Sequence, residues 1–235
     1  AFEMPEDFTG PEAGAIFFPF HLGWLAVQER GRLLAGETLL VHAAAGGIGS
    51  AVVQIGKHLG AKVIATAGSD EKLALCLDLG ADVAINYREQ PFVDAVQEAT
   101  GGRGVDVAFD GVGGQVTLDT GKCMAFNGRL LLAGFASGIE SEDAGITPRP
   151  VVFGNFSLVG VCLAYRSDPL EFRKLVGFNF VAQSEGDKTH AIVLDLIRAG
   201  RLRPVVGRHI DFTEIPEALE AMRRRETVGR IVATL

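Results

Sequence analysis

The chemistry in this chain concentrates at His42-Ala-Ala-Ala-Gly-Gly-Ile-Gly49. From Ala44 the run reads A-x-G-x-x-G, with Ala44 where a dinucleotide-binding fingerprint normally carries its first glycine. Gly46 has no side chain, so the backbone can approach a pyrophosphate, and Gly49 lets a helix pack closely on the preceding strand. Ala45, Gly46, Gly47, Ile48 and Gly49 thus form a turn into a helix whose free N–H groups and positive end suit a phosphate. At the end of the next strand, NAD binders usually place a carboxylate for the ribose 2′-hydroxyl. Here Thr66, Ala67, Gly68 and Ser69 are small and neutral, so a 2′-phosphate fits without repulsion. Lys72, one turn into the following helix, is placed to pair with it. Asp70 and Glu71 oppose that reading unless they face away as ordinary N-terminal helix charges, and a solvated Lys72 is the plain alternative.

Such a turn works only between a strand and a helix, and the pattern around it supplies both. Apolar runs at 37–42, 62–66, 83–85, 105–110, 129–133 and 156–161 predict six strands. Helical spacing predicts helices over 48–59, 69–79, 92–99 and 115–125, the first two stopped by Gly60 and Gly80. Ser69 is placed to cap the second of these. Repeated β–α alternation with apolar strands gives an α/β fold, a Rossmann-type doubly wound parallel sheet covered on both faces. An apolar helix over 11–28 leads in, and a Gly/Ser/Pro-rich loop spans 136–150. The tail predicts helices at 168–182 and 185–199, a strand within 204–212, a helix at 215–225 and a strand at 229–233. Two helices without an intervening strand separate those last strands from the sixth, which points to a different sheet.

Composition limits the function classes. The 235 residues are 48% apolar with a formal net charge of −7, which argues against a general grip on nucleic acid or an anionic membrane. The 30 glycines are far above the usual share and match many tight strand–helix turns. Cys76, Cys123 and Cys162 are far apart, which excludes a disulfide scaffold and fits a reducing, cytoplasmic setting. Neither a membrane span nor a signal-peptide pattern is present. The five histidines form no HExxH motif and have no cysteine at ligand spacing, so a metal site is not expected. Gly121-Lys122-Cys123 lacks the spacing and hydroxyl of a phosphate-transfer loop, and no G-x-S-x-G elbow occurs.

With these motifs in place, the chain resembles the medium-chain dehydrogenase/reductase superfamily, within it the zinc-independent, zeta-crystallin-like NADPH:quinone oxidoreductases. The matching stretches are Gly36-Glu-Thr-Leu-Leu-Val-His-Ala-Ala-Ala-Gly-Gly-Ile-Gly49, Leu79-Gly-Ala-Asp82, Ile85-Asn-Tyr-Arg-Glu89, Gly101-Gly-Arg-Gly-Val-Asp-Val107, Asp110-Gly-Val-Gly-Gly114, Gly128 to Gly134, Gly200-Arg-Leu-Arg-Pro204 and Thr227-Val-Gly-Arg-Ile-Val232. The resemblance implies that Lys72 and Tyr87 hold the 2′-phosphate of NADPH, joined by Arg225. It also implies that Gly111, Val112, Gly134 and Phe135, at the ends of strands four and five, line the ribose and nicotinamide. Arg223 and Arg224 read more plainly as a solvated helix face.

Two departures stand out. The β-rich, GroES-like domain that usually opens the family is not evident, and the chain begins Ala-Phe-Glu-Met-Pro, which reads as a truncated start. The family's Asn-Tyr-Leu-Thr-Ala aligns with Pro19-Phe20-His21-Leu22-Gly23, which removes a polar nicotinamide contact. Phe17, Phe18, Phe20 and Trp24 wall an apolar pocket or pack the core, and His21 is a candidate hydrogen-bond partner for substrate. The expected divisions are 1–30, a lead-in helix and remnant of the substrate domain, 31–200, the dinucleotide-binding domain, and 201–235, returning toward the substrate domain. The function implied is the coenzyme-binding portion of an NADPH-dependent quinone or enone reductase, binding cofactor but turning over poorly as this chain alone. Alternatives are an enoyl-thioester reductase and a non-catalytic dinucleotide-binding protein. A homodimer is expected through the edge strand 156–161.

Overall fold

Four consecutive buried residues, Thr38–Val41, make β1 the centre of the molecule. Its side chains alternate between faces: Leu39 and Val41 join one core with Ile16, Phe20, Val52 and Ile55, while Leu40 joins another with Ile64, Ile85 and Phe156. The structure, a computed structural model, describes residues 2–138 and 145–234. Around β1 lie β2 (Lys62–Ala67), β3 (Val83–Asn86), β4 (Val105–Asp110), β5 (Met124–Leu132) and β6 (Ser157–Gly160). They form one parallel sheet in the order β3-β2-β1-β4-β5-β6. This is the predicted doubly wound, Rossmann-type sheet. The strand order reverses between β1 and β4, where such sheets open a crevice at the strands' carboxyl ends.

Helices α2 (Gly47–His58), α3 (Asp70–Asp78), α4 (Phe92–Ala99) and α5 (Gln115–Thr120) carry the chain back between strands. The lead-in helix α1 (Gly10–Trp24) starts at a Thr9/Glu12 capping box and runs on as a π-helical turn, Leu25–Arg30, past its predicted end. The predicted helix over 115–125 stops at Thr120, and β5 begins at Met124, well before its predicted start. Met124 is held in register opposite Val105, and Asn127, at φ +61°, absorbs the irregularity between that pair and the rest of the ladder. The end of the predicted loop is helix α6 (Pro148–Gly154), started by a proline in its first turn. Residues 139–144 of that loop lie outside the described residues.

The tail departs further. The helix predicted to 182 is α7 (Pro169–Val176), ended by Gly177 at φ +77°. A strand follows, β8 (Val181–Ala182), paired in parallel with β7 (Tyr165–Arg166). After α8 (Gln183–Arg198) come β9 (Val206–Asp211), α9 (Ile215–Arg223) and β10 (Arg230–Thr234). β9 and β10 leave the main sheet, as expected, but pair with each other in parallel. No described helix is long and apolar enough to cross a membrane.

Candidate functional site

The turn after β1 is built by close backbone contact. Ala43 takes φ +49°, so the left-handed position precedes Ala44, and an alanine is tolerated where the fingerprint carries its first glycine. At Gly49 a Cβ would stand 2.2 Å from the Ala43 carbonyl oxygen, so only glycine allows α2 this close to the turn. Gly46 caps α2 without any side-chain hydrogen bond, which leaves the first-turn N–H groups of Ile48 and Gly49 without a side-chain acceptor. The C-terminal segment crosses this turn. The Gly229 N–H donates to the Ala45 carbonyl at 2.7 Å, and Gly229 bridges Gly46.

That crossing delivers Arg230, which sequence reasoning missed. Its side chain lies over Gly47, where a Cβ would meet the Arg230 Cδ at 2.4 Å. The Arg230 Nε is buried and has no hydrogen-bond partner among the described residues. A buried guanidinium N–H without an acceptor, beside an uncapped helix N-terminus, is a cation waiting for an anion. Its signal was the Gly229-Arg230 pair in the last matching stretch, far from the turn in sequence.

At the end of β2, Gly68 is overlain by two polar groups: the position of a Cβ there is 2.7 Å from the Tyr87 hydroxyl and 3.1 Å from the Arg88 Nε. Ser69 precedes α3 without using its hydroxyl as a cap, contrary to expectation. Asp70 and Glu71 are exposed in the first turn of α3. The Lys72 ammonium donates to the Arg225 carbonyl at 2.5 Å, which ties α3 to the turn after α9. Arg223 and Arg224 pair with Glu220 and Glu226, whereas Arg225 has no ion-pair partner among the described residues. The structure thus brings Tyr87 over Gly68 and joins Lys72 to the Arg225 backbone, and it adds Arg88 beside Tyr87.

The third cluster lies at the ends of β4 and β5. The Asp110 Oδ1 accepts from the N–H groups of Val112 at 2.8 Å and Gly113 at 3.0 Å, while Oδ2 accepts from the Thr117 hydroxyl. This carboxylate therefore shapes the turn that carries Gly111 and Val112. The neighbouring turn packs on it backbone to backbone: Ala136 N–H donates to Gly111 O at 3.2 Å, and a Cβ at Gly134 would stand 3.0 Å from the same oxygen. Phe135 projects 53% exposed from the second turn, so it is not a core aromatic. Beneath both turns His42 is buried, bonded to Thr66 at 3.0 Å and Thr120 at 2.9 Å. Burial pushes its pKa down to about 4, against a smaller upward pull from Asp110, so it is a neutral strut.

His21 is not a substrate contact, contrary to expectation. Its Nδ1 is 3.0 Å from the Tyr165 hydroxyl and its Nε2 is 3.1 Å from Nδ1 of His190, whose Nε2 donates to the Glu3 carbonyl at 3.1 Å. Both ring nitrogens are engaged, and burial with the nearby His190 lowers its pKa to about 3. Phe20 is core, and Phe17 lines a cavity of about 410 Å³ with Phe2, Met4, Ala13 and Tyr165.

Residues 47–179 match the family described as zinc-binding dehydrogenase. The chain belongs to that family, within the medium-chain dehydrogenase/reductase superfamily. It is 32% identical over 233 residues to quinone oxidoreductase-like protein 2 of Rattus norvegicus, covering 99% of this chain and 62% of that protein. The solved structure of Escherichia coli quinone oxidoreductase complexed with NADPH matches with a TM-score of 0.83 at 25% identity, covering 99% of this chain and 67% of the other. An NAD-dependent alcohol dehydrogenase matches with a TM-score of 0.81 at 29% identity, covering 98% and 60%. The names of these two structures carry different cofactors, so likeness of fold does not choose between them. The family name carries zinc, but among the described residues no three His, Cys, Asp or Glu side chains come together as metal ligands. The glycine cradle, the buried Arg230 Nε and the cations beside Gly68 fit a dinucleotide.

Proposed function

We propose that the chain is the coenzyme-binding part of an NADPH-dependent oxidoreductase that reduces a quinone or enone. The observation that carries this reading is the end of β2, where Tyr87 and Arg88 overlie Gly68 and no carboxylate occupies 66–69. Gly46, Gly47 and Gly49 with Arg230 would hold the pyrophosphate, and Lys72, Tyr87 and Arg225 would hold the ribose 2′-phosphate. Gly111, Val112, Gly134 and Phe135 would line the second ribose and the nicotinamide. The nicotinamide supplies a hydride from C4 when bound. The chain supplies alignment: two strand-end turns locked together by hydrogen bonds hold one face of the ring site rigid. No side chain is assigned as general acid, because a quinone oxygen can take its proton from water and His21 has no free nitrogen. We read the hydride transfer as metal-free.

The same reading divides the chain near residues 30 and 200, pairs it into a homodimer through the β6 edge, and places it in the cytoplasm, consistent with three free cysteines. Titrating NADPH and NADH against the protein by nucleotide fluorescence tests the cofactor. NADPH should bind about tenfold more tightly or better, as a charge-assisted phosphate contact implies. Equal or reversed affinities overturn the proposal.

A further inference from the structure

We propose that Arg88 is a specificity-determining residue for the 2′-phosphate, acting beside Tyr87 and Lys72. This rests on the NADPH reading above and deepens it. Four observations converge on Arg88. Its Nε lies 3.1 Å from the Cβ position of Gly68, beside the Tyr87 hydroxyl, at the strand end where a dinucleotide fold reads the adenosine ribose. Its guanidinium forms no ion pair among the described residues, so its charge is not committed within the fold. The acid beside it, Glu89, is committed to the Asn86 side-chain amide at 2.8 Å. The Asn86 Oδ1 accepts from the Arg88 N–H at 3.1 Å, which fixes the backbone that presents the guanidinium.

Lys72 has a second contact within the fold. Its ammonium is 2.5 Å from the Arg225 carbonyl, so it braces the turn in which Arg225 sits at φ +60°. A guanidinium offers two parallel N–H groups to a phosphate, which an ammonium cannot. Arg88 is then an unpaired guanidinium, beside the Tyr87 hydroxyl at Gly68, that a 2′-phosphate would neutralise.

The test is calorimetric titration with 2′,5′-ADP and 5′-AMP, which differ only by the phosphate in question, on the wild type and Arg88→Gln. Arg88 is exposed, so circular dichroism and melting temperature should be unchanged. The variant should lose about tenfold or more in affinity for 2′,5′-ADP and keep its 5′-AMP affinity within about twofold. Arg88→Lys should recover part of the loss. A wild type that binds both nucleotides equally overturns the NADPH reading and this assignment with it. A wild type that prefers 2′,5′-ADP, with Arg88→Gln preserving that preference, overturns the Arg88 assignment alone.

Discussion

Arg230 carries its charge into the start of α2 with a buried Nε that no described group accepts from. The pyrophosphate is common to NADPH and NADH, so Arg230→Met should weaken both by a similar factor, about tenfold from one lost charge-assisted contact. Titration of the two nucleotides against this variant checks it, and a loss confined to NADPH would place Arg230 at the 2′-phosphate instead. Gly49 marks the steric side of the same site. Gly49→Ala would drive a methyl to 2.2 Å from the Ala43 carbonyl oxygen, which must separate α2 from the turn. Overpacking of this kind costs about 1–3 kcal/mol, so urea unfolding should show that loss together with weakened binding of both nucleotides. The glycines of this turn were legible in the sequence because a contact that only glycine permits leaves a local spacing. Arg230 was not, because it reaches the turn through a bridge between Gly46 and Gly229 that no local pattern encodes. Arg88 was legible only as a charge beside Tyr87, since its lack of a partner is a property of the folded surface.

Between elements, two buried histidines act as struts. His42 links the end of β1 to β2 and α5, and His21 links α1 to β7 and α8. Burial lowers both folded pKa values, to about 4 and about 3, below the ordinary value near 6.5. In that interval the unfolded chain binds more protons, so stability is full above pH 6.5 and falls as the pH drops. Each histidine contributes a slope approaching about 1.4 kcal/mol per pH unit. The carboxylates of Asp82 and Asp106 have lowered pKa values, so their destabilising protonation comes at lower pH still. Urea unfolding between pH 7 and pH 5 should therefore show the combined slope, and His21→Leu should flatten it while lowering stability at pH 7. An unchanged slope in that variant would show that His21 is not a buried neutral group. The six sheet strands were readable because each is a short apolar run between glycine-rich turns. The 168–182 segment was misread as one helix although Val176, Phe178, Phe180 and Ala182 alternate at the strand period; Gly177 turns the chain and β8 pairs with β7.

For the whole molecule, the sheet ends at β6, whose outer edge has no partner strand among the described residues. Beside it the Asn127 N–H donates to the Asn155 carbonyl at 2.8 Å, which places the β5 bend next to the end of α6. Those two segments expose Phe126 by 73% and Phe153 by 77%. An unpaired edge flanked by exposed phenylalanines satisfies both demands of a two-fold interface, because the backbone pairs with its own copy and the rings bury against each other. A stable interface buries on the order of 1,200–2,000 Å² in total, more than one short strand provides, so the phenylalanines must carry much of it. Light scattering at micromolar concentration should accordingly give the mass of a dimer. Phe126→Glu with Phe153→Glu should shift the protein to monomer, because two charges would be brought into an apolar contact and repeated across the axis. Neither residue is near the turns that face the nucleotide, so NADPH affinity should hold within about twofold. A wild-type monomer at high micromolar concentration, or a charged double variant that remains dimeric, would exclude this edge as the interface.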